Sequence, residues 1–196
     1  MQYDFHGKYI RTIEANEELK KLMSEYKFGK KEFFSFTTNA KINLNGYMIK
    51  PADFNRKKLY PVLIYVYGGP ESQLVTEKFS VRDSWFHMLA QMGYLVVCVD
   101  NRGTDNRGEE FRKLTYLQLG KFETEDQTEL ALYLSNLPFV DKSRIGIFGW
   151  SYGGYMSLLC LFKAADIFKM ALSVAPVTNW RYYDTIYTER FMRTPM

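Results

Sequence analysis

The sequence is poor in the residues on which several protein classes depend. It has two cysteines, and both stand where a thiol packs as a small hydrophobe, Cys98 in an apolar run and Cys160 in a helical one. Neither a disulfide scaffold nor a metal site is suggested. It also has two histidines, His6 and His87, both in the first half of the chain. No apolar run reaches the ~18 residues of a membrane span. Residues 1–7 carry Asp4 and His6 rather than the pattern of a secretory leader; a chain that had lost its leader would read the same, so the compartment is not read from this end. Nor does one sign of charge dominate. The 26 basic and 22 acidic residues give +4, and the lysine pairs at 20/21, 30/31 and 57/58 are separated by apolar or acidic stretches. That is the pattern of a solvated surface, not of a nucleic-acid stripe.

What is abundant is aromatic. Tyrosine and phenylalanine number 15 each, and aromatic residues make up 17% of the chain, a composition that offsets chain entropy by burial and excludes disorder for the bulk. The 196 residues suffice for one medium domain and a remnant, not for two full domains.

The polar N-terminal stretch contains one helical signal. From Asn16, acids precede bases by one turn, which suits the helix dipole and predicts a Glu17 to Lys21 pair. Residues 32–37 and 42–49 are strand-like around the turn signal Thr38-Asn39-Ala40, so a hairpin is expected. Beyond a polar connection the pattern changes. Residues 61–67 form a continuous apolar run ended by Gly68-Gly69-Pro70, as in a strand buried on both faces. Helical spacing over 85–92, a second buried strand over 94–99, an amphipathic helix over 122–137 behind an acidic first turn, a third strand over 144–150, a helix over 152–164 and a fourth strand over 169–177 follow. Strand and helix in alternation predict parallel crossover units, an α/β fold with a mostly parallel sheet and helices on both faces.

The chemical signal lies at Gly149-Trp150-Ser151-Tyr152-Gly153. It joins the third buried strand to the following helix, the placement of a nucleophile elbow. The glycines two residues either side of the serine leave room for so sharp a turn. A phosphate-binding strand-to-helix turn is the alternative, but no phosphate-loop lysine or spaced third glycine follows. A serine hydroxyl needs an imidazole base, a carboxylate behind it and donors for the oxyanion. In α/β hydrolases the acid and the histidine follow the serine. Here both histidines precede it and read as structural, and Asp166 and Asp184, which follow it, end no further strand. The catalytic acid and base are therefore expected to be absent from these residues.

Residues 149–155 (Gly-Trp-Ser-Tyr-Gly-Gly-Tyr), followed by 180–191 (Trp-Arg-Tyr-Tyr-Asp-Thr-Ile-Tyr-Thr-Glu-Arg-Phe), resemble the catalytic domain of the prolyl oligopeptidase family of serine peptidases, in its dipeptidyl peptidase IV branch. Tyr67-Gly68-Gly69-Pro70 and Asp100-Asn101-Arg102-Gly103 recur in order at similar spacing, so the resemblance covers nearly the whole chain. It implies an incomplete, C-terminally truncated α/β-hydrolase domain over 33–196, preceded over 1–32 by the end of a β-propeller and a linker helix. It implies Ser151 as nucleophile, the Tyr67 hydroxyl and the Tyr152 N–H as oxyanion donors, and a proline pocket of Tyr152, Val177, Trp180, Tyr183 and Tyr187. From the residues themselves, Tyr67 could equally be an interfacial tyrosine closing a strand. Trp180, Tyr183 and Tyr187 fall three and four apart and are expected on one helix face, which suits a core stripe as well as a flat-ring pocket. Glu189 and Arg190 read as an ion pair beside the pocket.

The resemblance further implies release of Xaa-Pro and Xaa-Ala dipeptides from peptide substrates, no metal or cofactor, and a homodimeric parent that is periplasmic, extracellular or at the cell surface. Alone, the 196 residues are expected to be inactive. The rival readings are an acylaminoacyl peptidase or esterase of the same fold, and a non-catalytic binding protein.

Overall fold

The computed structural model describes residues 1–78 and 80–194, with the side chains of all of these except Val81 and Arg82. The chain opens with a small antiparallel hairpin, β1 (Gln2–Tyr3) and β2 (Tyr9–Arg11), and an exposed helix, α1 (Glu17–Ser24). In α1 the ion pair joins Glu17 to Lys20 at 3.3 Å, not to Lys21. The expected hairpin follows as β3 (Lys31–Thr37) and β4 (Asn43–Ile49), paired antiparallel. Strands and helices then alternate: β5 (Tyr60–Tyr65), α2 (Val81–Gln91), β6 (Leu95–Asp100), the short α3 (Glu109–Lys113), α4 (Lys121–Ser135), β7 (Val140–Trp150), α5 (Tyr152–Lys163) and β8 (Met170–Val174). A 3-10 turn, Trp180–Tyr182, and α6 (Thr185–Met192) follow.

Six strands form one sheet in the order β3-β4-β6-β5-β7-β8. β4 pairs antiparallel with β6, and β5, β6, β7 and β8 run parallel. The two-residue alternation of strand side chains divides the core between the faces. Val62, Ile64 and Val66 join Leu130 and Leu134 of α4 and Met156 and Cys160 of α5 on one face. Tyr65, Val96 and Cys98 pack against Phe86 and Ala90 of α2 on the other. A sheet covered on both faces explains why β5 and β6 are continuous apolar runs.

Two strand ends fall short of the expected positions, each for a backbone reason. β8 stops at Val174 and not Val177, because Ala175 turns the chain at φ 44° and Pro176 has no N–H for a ladder. β5 ends at Tyr65, although the Val66 N–H still donates to the Phe148 carbonyl at 2.9 Å. Gly68, at φ 74°, then turns the loop that carries Tyr67. Because Tyr65 lies in register with Phe148, the carboxyl ends of β5 and β7 are level, and Tyr67 and Ser151 emerge at the same edge of the sheet. Ligand sites in open α/β sheets form at that edge.

Candidate active site

Ser151 lies between β7 and α5 with φ 58° and ψ −118°, a conformation that costs a non-glycine residue of order 1–3 kcal/mol. Its surroundings hold it there. The Ser151 N–H donates to the Val174 carbonyl at 2.9 Å, and its carbonyl accepts from the Tyr155 N–H at 3.0 Å. A Cβ at Gly149 would overlap the Gly153 carbonyl, and a Cβ at Gly153 would overlap the Val66 carbonyl. The third glycine has the same duty, since a Cβ on Gly154 would stand 2.8 Å from the Val174 oxygen. The serine is partly exposed. A strand, a strained serine and a helix packed this tightly give the sharp strand-to-helix turn that the sequence pattern around Ser151 leads one to expect.

Tyr152 is the first residue of α5, so its N–H has no acceptor within the helix. Tyr67 is half-buried, its ring 6.0 Å from that of Tyr152. Burial raises the Tyr67 phenol above its ordinary value, the nearby Tyr187 hydroxyl acting in the opposite direction. The hydroxyl is therefore protonated at neutral pH and able to donate. Gly69 allows the rings to close up, since a Cβ there would lie 2.8 Å from the Tyr67 ring, 3.0 Å from Tyr152 and 3.2 Å from the Tyr187 hydroxyl.

The aromatic residues singled out in the sequence come together. The Trp180 ring is 5.6 Å from Tyr152, 5.9 Å from Tyr183 and 5.8 Å from Tyr187, stacked on the last at an interplanar angle of 6°. They do not share a helix face as expected. Trp180 is in the 3-10 turn, Tyr183 is extended, and α6 begins only after Asp184, whose carboxylate accepts from the Tyr187 N–H at 2.8 Å. The rings converge across this corner. Val177 is buried on the segment leading to Trp180. The Trp180 indole N–H and the Tyr187 hydroxyl are buried without a hydrogen bond of normal geometry among the described residues.

Among the described residues the expected Glu189–Arg190 pair is not formed. Arg190 reaches Glu71 at 2.6 Å, and Arg112 stands 3.8 Å from the same carboxylate. Neighbours in a helix point about 100° apart, so Arg190 bridges instead to the loop after Tyr67. Neither histidine hydrogen-bonds Ser151 among the described residues. His6 is exposed in the first hairpin, and His87 on α2 packs edge-on to Phe28 at 5.0 Å.

One residue of the site was not singled out by sequence reasoning. Glu123, in the first turn of α4, is fully buried and accepts a 2.5 Å hydrogen bond from the Tyr152 hydroxyl. Its other carboxylate oxygen accepts from the Gly120 N–H at 3.0 Å. Burial raises its carboxyl to about 7, the Tyr152 hydroxyl and the backbone donors acting against that rise. In sequence it is one acid among several in a helix start, with nothing to distinguish it.

The mostly parallel sheet, with the strained turn at Ser151 and the aromatic cluster at the carboxyl ends of β5 and β7, has the architecture of an α/β hydrolase, present in part. The family model of the prolyl oligopeptidase family matches residues 79–196, and the chain belongs to that family of serine peptidases. It is 41% identical over 193 residues to a probable dipeptidyl-aminopeptidase B of Arthroderma benhamiae, covering 95% of this chain and 20% of the relative. To dipeptidyl peptidase 8 of Homo sapiens it is 45% identical over 166 residues, covering 84% and 18%. The crystal structure of Porphyromonas gingivalis dipeptidyl peptidase 4 superposes with a TM-score of 0.92 at 49% identity, over 97% of this chain and 27% of that one. The chain thus spans about a fifth of the length of these curated relatives.

Proposed function

We propose that the full-length protein is a serine exopeptidase that releases Xaa-Pro and Xaa-Ala dipeptides through an acyl-enzyme on Ser151. The observation that carries this reading is the strained Ser151 at the sheet edge, followed directly by Tyr152, whose ring joins the Trp180, Tyr183 and Tyr187 cluster. Similarity to proteins named dipeptidyl peptidases and a dipeptidyl-aminopeptidase supports it. Flat aromatic walls suit a pyrrolidine ring or a methyl group and crowd out larger side chains.

In this mechanism the Ser151 Oγ attacks the scissile carbonyl and its proton passes to an imidazole supplied by neither His6 nor His87. The carbonyl oxygen takes up the negative charge and accepts hydrogen bonds from the Tyr152 N–H and the Tyr67 hydroxyl, and this placement of donors lowers the barrier. The C–N bond then breaks as the leaving amine gains the proton. Water attacks the Ser151 ester, its proton goes to the same base, and the dipeptide leaves with Ser151 restored. Residues 1–32 are read as the end of a propeller and its linker, and the full-length protein as a homodimer.

The test is turnover of a Gly-Pro chromogenic substrate by the full-length protein. Wild type is expected to cleave it and Ser151→Ala to lose activity by at least ~10⁴-fold, as removal of a nucleophile does. Preference for an acetylated substrate over the free-amine one would replace this reading with an acylaminoacyl peptidase.

A further inference from the structure

Glu123 is a carboxylate with no exposed surface, and among the described residues it has no cationic partner. Asp126, three residues on, does have such a partner, pairing with Arg102 at 2.7 Å. A buried, unpaired carboxylate is costly to stability, so its role lies in what it holds. Gly120 donates to one oxygen and Tyr152 to the other. The second bond joins α4 to the residue after the nucleophile, 29 positions later in the chain.

A hydroxyl-to-carboxylate bond of 2.5 Å is at the short, strong end of its class, and it fixes how far the Tyr152 ring extends. That ring is 2% exposed and stands between Tyr67 at 6.0 Å, Trp180 at 5.6 Å and Tyr187 at 6.4 Å. Ring packing of this kind has no fixed point at the phenol oxygen, and the bond to Glu123 supplies one. Tyr155 braces the start of the same helix, donating its hydroxyl to the Leu119 carbonyl at 3.1 Å.

We propose that Glu123 is a positioning residue for substrate specificity, setting the width of the pocket that receives the side chain before the scissile bond by tethering the Tyr152 ring to α4. The inference rests on reading Ser151 and its aromatic neighbours as the reacting site. The tether acts on the pocket wall and leaves the nucleophile itself in place, because the Ser151 backbone is held by Val174, Tyr155 and the elbow glycines.

The test measures rates of Ser151 labelling in the full-length protein. It uses diphenyl phosphonates that differ only in carrying a proline, alanine or phenylalanine side chain at that position, and a small alkyl fluorophosphonate as reference. Glu123→Leu is expected to lower the proline-to-phenylalanine ratio about tenfold, while its alkyl labelling stays within about threefold of wild type and reports an intact elbow. Tyr152→Phe is read by the ratio alone and is expected to lower it by a similar factor. Glu123→Gln, whose amide can still bond the phenol, is expected to recover the ratio to within about threefold. If Glu123→Leu does not fold, Tyr152→Phe reads the same bond from its other end. An unchanged ratio in either variant, or equal losses of proline and alkyl labelling in Glu123→Leu, overturns the proposal. A wild type that labels with the alkyl probe yet shows no proline preference overturns the proline reading alone. Glu123 is then judged by whether its variants alter the preference that the three probes do reveal.

Discussion

Tyr67 and Glu123 show how burial sets the chemistry of a single side chain. Burial raises the Tyr67 phenol above its ordinary value, which keeps a proton available for the oxyanion-donor role proposed for it. Tyr67→Phe in the full-length protein is expected to lower kcat by about 10²–10³, the effect of losing one oxyanion donor, with little change in KM. A KM change without loss of kcat would reassign Tyr67 to the pocket wall. For Glu123 the consequence is a pH-dependent stability. Its carboxyl is raised from 4.5 to about 7 in the folded state, so between those values the folded protein keeps a proton that the unfolded chain has released. The contribution is complete below pH 4.5 and is lost as pH rises through 7. A shift of this size corresponds to about 3 kcal/mol. Urea unfolding at pH 5 and pH 8 should show this loss in wild type and a much flatter response in Glu123→Gln. Equal slopes in the two proteins would disprove it.

At the scale of elements, the elbow is held by backbone approach. Gly153 lets the first turn of α5 pass against the Val66 carbonyl, so strand β5 and helix α5 meet with no side chain between them. Gly153→Ala has no flexible group to displace and is expected to cost about 3 kcal/mol, the upper part of the overpacking range. Thermal unfolding measures this, and a shift of under one degree would show that the contact can relax. The ion pair between Arg190 and Glu71 also joins two elements, but Arg190 is more than half exposed. An exposed pair contributes little, so Arg190→Ala should leave the melting temperature nearly unchanged. The corner at Asp184 is a stronger device, because its carboxylate satisfies an N–H that starts α6.

For the molecule as a whole, β8 lies at the outer edge of the sheet, with Met170 45% and Leu172 44% exposed. Beside it Trp150 is 61% exposed. An apolar, unpaired edge of this kind templates association. The 196 residues expressed alone are expected to aggregate, and Leu172→Lys should lower the light scattering at equal concentration. They should also fail to turn over a Gly-Pro substrate, since neither histidine serves Ser151. Turnover near that of a complete homologue would refute this.

Much of the architecture was legible in the order of residues. The buried strands read as apolar runs because both sheet faces are covered, and the sharp turn at Ser151 was readable because only glycine fits at 149 and 153. Those are local demands, visible wherever the residue type is nearly compulsory. Chain folding decided the remainder. No spacing rule indicated that Arg190 would choose Glu71 over its neighbour, that Trp180 and Tyr187 would stack across a corner and not along one helix, or that one acid in the start of α4 would be buried beneath Tyr152. Such pairings depend on which side chains the sheet and its helices bring within a few ångströms, and distance along the chain carries no record of that.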